Sequence, residues 1–112
     1  MAEVNKHNIT IECGADFEMS FVWLDEDGAP HDLTGATVTA QLRETSHSPD
    51  AYDFTCSHTG EEGEITIAMP HDTTSEIAYS YGVYDIKVEL TNGKVYKPRH
   101  GDVRILDDVT KE

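Results

Sequence analysis

Only two cysteines, one tryptophan and eight basic residues occur in this chain of 112 residues. Two cysteines, Cys13 and Cys56, do not make a disulfide framework, and the lack of a membrane span or signal-peptide core points to a cytosolic product or one released from the cytosol by lysis. A Cys13–Cys56 bridge would require the two strands that carry them to be neighbours. No apolar run approaches the roughly 20 residues of a membrane helix, and Met1–Lys6 lacks the core of a signal peptide. The shortage of Lys and Arg against 22 acidic residues leaves a net charge of −14. Such a field repels phosphate, which argues against nucleic acid as a partner, and nothing points to a membrane. Gly-x-Ser-x-Gly, a phosphate-cradling glycine loop and His-Glu-x-x-His are all missing. The expectation is a chain that is not an enzyme, with no catalytic, cofactor-binding or metal-ligating residues.

What the chain does have is alternation. Phe17, Met19, Phe21 and Trp23 fall on one face of Asp16–Leu24, with Asp16, Glu18 and Ser20 on the other. That period of two is a half-buried strand, since a helix would scatter the four large groups around its circumference. The pattern recurs about every ten residues, as in a sandwich or barrel. Ile9 and Ile11, then Val38, Ala40 and Leu42, then Ile65, Ile67 and Met69 each share a face. Tyr52, Phe54 and Cys56 read as one further strand, with Cys56 as a small buried hydrophobe.

Tyr84, Ile86, Val88 and Leu90 mark the second strong strand, and Asn92-Gly93 directly after it predicts a two-residue type I′ hairpin turn. Pro98 and Gly101 in the return strand predict a bulge or bend near Arg99–Gly101 and a change of pairing partner there. Pro70 should end its strand, and Thr73–Ile77 is a short helical turn capped by Asp72. The expected architecture is a single-domain, all-β antiparallel β-sandwich, immunoglobulin-like or jelly-roll, of about seven or eight strands. One domain fills residues 1–112, with polar arms at 1–7 and 107–112.

The order Ile9-x-Ile11-Glu12-x-Gly14-x-x-Phe17, Phe21-x-Trp23, Asp27-Gly28-x-Pro30-x-Asp32-Leu33-Thr34-Gly35 resembles a family of small bacteriophage virion structural proteins. Tyr84-Asp85-x-x-Val88, Gly93-x-Val95 and Gly101-x-Val103-x-Ile105 continue the same pattern. The resemblance implies a β-sandwich that serves as a capsid decoration or cement protein, located in the virion after synthesis in the host cytoplasm. Its partners would be the major capsid protein and copies of itself. The resemblance extends to N-terminal modules of baseplate and tail proteins, so a tail, collar or baseplate adaptor is the alternative. A carbohydrate- or receptor-binding module is a second alternative, which exposed Trp or Tyr on loops would favour.

The candidate interface lies on the arms and the tyrosines before the second strong strand: Val4, Lys6, Tyr79, Tyr81, Val109 and Lys111. Tyr79 and Tyr81 read equally well as interface anchors or as a corner that closes the sandwich. His31-Asp32, His71-Asp72 and His100-x-Asp102 place imidazole beside carboxylate, but in turns and without zinc-ligand spacing. Asp25-Glu26-Asp27-Gly28 lacks the glycine offset and distal Glu of a calcium loop and reads as a turn.

Overall fold

The structure is a computed structural model and describes residues 5–109. Eight strands run through them: β1 (Ile9–Glu12), β2 (Phe17–Val22), β3 (Thr37–Arg43), β4 (Tyr52–Asp53), β5 (Thr55–His58), β6 (Glu64–Met69), β7 (Tyr81–Glu89) and β8 (Val95–Leu106). A 3-10 turn covers Gly60–Glu62 and a single helical turn, α1, covers His71–Thr74. The strands form a five-stranded sheet, β1-β8-β7-β3-β4, and a three-stranded sheet, β2-β6-β5. This is a β-sandwich. Its second, sixth and fifth strands face its third, seventh and eighth, which is the immunoglobulin order.

One pair departs from the expected antiparallel body. β1 runs parallel to β8, with Ile9 opposite Val103 and Ile11 opposite Ile105. Strands from the two ends of a chain need no tight turn between them, so the whole domain serves as the crossover that a parallel pair requires.

The core forms where the inner rows of the two sheets meet. Leu42, Ile86, Val88 and Val103 from the wide sheet and Ile65, Ile67 and Met69 from the narrow one are buried almost completely. Removing such a side chain from water stabilises the fold by about 1.5–3 kcal/mol. The inner row of β2 is different. Phe17, Met19, Phe21 and Trp23 alternate as the sequence predicts, yet all four are only half-buried. β2 is the edge of the narrow sheet, so among the described residues no strand covers that row from the side.

Several local expectations are corrected. Tyr52, Phe54 and Cys56 do not lie on one strand: β4 pairs with β3, β5 pairs with β6, and the chain changes sheets at buried Phe54. Cys56 is half-buried on the free edge β5, and Cys13 follows β1 at the opposite side of the sandwich, so the two thiols are free. β8 does not exchange partners at Arg99–Gly101 but stays on β7 throughout. Ile86 faces Arg99 and Val88 faces Tyr96, so Lys97 and Pro98 together oppose Lys87. The extra residue is a bulge, which tolerates a proline that has no N–H to donate.

The Asn92-Gly93 turn is not type I′, because only Gly93 has positive φ (85°). The Gly93 N–H donates to the Leu90 carbonyl and the Leu90 N–H to the Lys94 carbonyl. The result is a three-residue loop in which a type I turn is followed by a left-handed glycine.

The helical turn begins at His71 rather than Thr73, and its cap is Asp16 rather than Asp72. Asp16 Oδ1 accepts the His71 backbone N–H at 2.7 Å and His71 Nδ1 at 2.9 Å. Fully buried Thr74 donates its hydroxyl to the Ala15 carbonyl (2.9 Å) and accepts the Gly14 N–H (3.1 Å). These bonds fasten the β1–β2 turn to the β6–β7 connection and close one end of the sandwich.

Two outcomes follow from this clasp. Thr74→Val should destabilise the fold by about 1–2 kcal/mol in urea titrations, because it leaves a part-buried N–H and a part-buried carbonyl without their partner, whereas Thr74→Ser should cost less. The hydrogen bond from His71 holds the Asp16 carboxyl below its usual 3.8, and the hydrogen bond to Asp16 raises the His71 imidazole above 6.5. A raised imidazole contributes fully below 6.5 and loses its contribution as pH rises through the folded value. A lowered carboxyl contributes fully above 3.8 and loses it as pH falls. The urea midpoint of the wild type should therefore exceed that of His71→Gln most between these values, and the gap should shrink as pH rises through the folded imidazole value.

Candidate functional site

The exposed face of the five-stranded sheet is built by simple alternation. Inward Ala40, Leu42, Tyr84, Ile86, Val88, Val103 and Ile105 force their strand neighbours outward. The outward residues are not acidic like the rest of the chain. Lys6, Arg43, Lys87, Lys97 and Arg104 are five cations on this face. Glu12, Asp53, Asp85, Glu89 and Asp102 are five carboxylates on it. Glu44, which follows β3, lines the groove of the same face, so among the described residues the face is close to neutral, with five cations against six carboxylates.

The charges alternate and partly pair: Lys97 Nζ sits 3.3 Å from Asp85 and Lys6 Nζ 3.8 Å from Asp102. Arg43 reaches the Ser48 carbonyl and Gln41 Oε1, and Gln41 donates to Asp53. An open groove of about 1220 Å³ runs across this face, its floor crossed by Thr39, Gln41, Asp85 and Lys87.

Of the residues singled out from sequence, Lys6 and Tyr81 belong to this face. Tyr81 is 68 % exposed and pairs across strands with Arg104, beside Thr10 of β1. Val109, 92 % exposed, follows the end of β8. Tyr79 does not join them. It is half-buried, tilted against Tyr52 at 6.5 Å, and crowds Gly82, so it closes the sandwich edge as a corner tyrosine would. Burial raises its phenol above the usual 10. Val4 and Lys111 lie outside the described residues. The described part of the N-terminal arm lies along β8: the His7 N–H donates to the His100 carbonyl, and the His100 N–H donates to the Asn5 carbonyl.

The imidazole–carboxylate pairs do other work. His71 is held by Asp16, and Asp32 accepts the N–H and hydroxyl of Thr34 in a turn. The Asp25 carboxylate accepts the Asp27 and Ala29 N–H groups within its own loop. Among the described residues, no three His, Cys, Asp or Glu side chains gather as metal ligands would.

A second surface was missed from sequence because Trp23 reads as core. It lies at the rim, where β2 ends. The Trp23 carbonyl accepts the His31 N–H, and the two rings stack 3.8 Å apart. Tyr96, at the start of β8, tilts against Trp23 at 5.7 Å. Gly63 makes this arrangement possible. At φ 70° it passes beneath residue 31, where a Cβ would lie 2.7 Å from the His31 carbonyl oxygen. One turn further along the same seam, the Arg99 guanidinium lies 4.0 Å over the Phe21 ring and 3.8 Å from Met19 Sδ. Leu24 (52 %) and Val95 (56 %), next in the chain to Trp23 and Tyr96, are exposed. His31 occupies a face of the indole on which a sugar ring would stack, which removes support from the carbohydrate-binding alternative.

No protein-family model matches the chain, and no curated protein matches it. Among solved structures, the chain is similar to part of a family 123 glycoside hydrolase from Clostridium perfringens, described for glycolipid glycan hydrolysis. The match covers 98 % of this chain and 24 % of that one, at 13 % identity and a TM-score of 0.45. With this match reported, the expectation that the chain is not an enzyme is withdrawn. At that identity and score the likeness brings neither an activity nor a substrate to this chain.

The rim makes its own prediction. Gly63→Ala should destabilise the protein by about 1–3 kcal/mol, through strain at positive φ and the clash with residue 31. Trp23 fluorescence should change with it as the His31 stack shifts, and an unchanged emission spectrum and urea midpoint would contradict the geometry.

Proposed function

We propose that the chain is a structural subunit of a bacteriophage particle that binds the major capsid protein lattice and neighbouring copies of itself. The reading rests on the motif order of the sequence, and the observation that carries it is the charge-balanced outer face of the five-stranded sheet. Two bodies that each carry −14 repel one another across about one Debye length, roughly 8–10 Å at moderate salt. A face close to neutral lets such subunits sit side by side on a lattice with less repulsion. A mosaic of both signs then selects the register in which they meet, guiding specificity more than it sets affinity. Repetition over a symmetric shell multiplies modest single contacts. Exposed Tyr81 beside Arg104 supplies the kind of aromatic and guanidinium pair that anchors interfaces.

Quantitative mass spectrometry of purified virions tests the reading. On the order of hundreds of copies per particle supports shell decoration, whereas a small multiple of three or six would move the protein to a tail or baseplate. Absence from particles would remove both. Charge reversal at Lys87→Glu with Arg104→Glu should lower occupancy on stripped shells about tenfold or more, with the fold unchanged by circular dichroism.

A further inference from the structure

Among the described residues, the seam where β2 and β8 face each other is incomplete. β2 has a strand partner on one side only, and β1 pairs with β8 no further back than Val103, with a single bridge from Lys6 to His100. The opening between these edges exposes Phe21, Met19, Trp23 and Tyr96 in part, and Arg99 stands in its middle. A guanidinium has five N–H donors, and half-buried ones are normally matched by carboxylates or carbonyls. Among the described residues Arg99 makes no ion pair; it lies on the Phe21 ring and beside Met19 Sδ, and its charge also acts on the Tyr84 phenol. β2 also lacks the usual guards of an edge strand: no proline, no bulge and no lysine interrupts Phe17–Val22.

We propose that this seam is a binding site for an extended segment of a partner protein that carries one carboxylate between apolar side chains. The segment pairs by main-chain hydrogen bonds with the open edge of β2. Its inward apolar side chains cover Phe21 and the Trp23–Tyr96 pair, and its carboxylate meets Arg99. Two features favour a peptide over a sugar: the open strand edge offers a row of backbone donors and acceptors, and the Trp23 face is already filled by His31. The assignment does not rest on the virion reading, because it depends only on the seam.

The test is an NMR titration of the isotope-labelled full chain with two synthetic hexapeptides, acetyl-Thr-Val-Thr-Glu-Thr-Val-amide and its Gln analogue. Saturable shifts at the Phe17–Val22 amides and at the Arg99 Nε–H are expected with the Glu peptide. The Gln peptide should bind roughly five- to tenfold more weakly, the loss of one charge-assisted pair. Arg99→Gln, checked for native fold by its amide spectrum, should abolish the preference. No saturable shift up to about 5 mM Glu peptide, equal affinity for both peptides, or shifts confined to other surfaces would overturn the assignment. The peptide comparison on the unaltered chain stands even where Arg99→Gln fails to fold.

Discussion

Two sheets of unequal width have to share one apolar interior, and most features of this molecule follow from that constraint. Three strands cannot cover five. The inner rows of β6 and β7 lie at the centre of both sheets and are sealed, with Ile65, Ile67, Ile86 and Val88 almost wholly removed from water. The narrow sheet ends at β2, whose inner row is left half-covered. At one end the molecule closes the margin with the Asp16–His71 and Thr74 clasp. At the other it lays Tyr96 and Arg99 of β8 across the gap, against Trp23, Phe21 and Met19. An inward cation at an edge also discourages indiscriminate strand pairing, so Arg99 tempers the exposure that its position creates.

The same geometry sorts the charge. Strand alternation assigns every second residue of β3, β7 and β8 to the outer face, and the sequence places cations and carboxylates there in nearly equal number. The loops and the narrow sheet carry the excess acid. Bringing charges of both signs together in register costs far less than bringing two strongly acidic surfaces together. The balanced face and the aromatic seam are separate surfaces with separate chemistries, one polar and patterned, the other apolar around a single cation.

Much of this was legible in the chain itself. The clean period of two at Phe17–Trp23 and Tyr84–Leu90, with glycine and proline between, determined an all-β sandwich and which residues turn inward, because side-chain direction on a strand is a local property. Pro70 and the bulge at Pro98 followed from the missing N–H. The tertiary structure alone decided how deeply each inward residue is buried. Trp23 and Ile86 carry similar patterns, and only the placing of β2 at an edge and β7 at a centre separates rim from core. The parallel β1–β8 pair, the change of sheet at Phe54, the gathering of five cations on one face and the cap that Asp16 gives to a helix 55 residues away are all non-local. Contacts between distant segments depend on how sheets stack, and no periodicity along the chain records that.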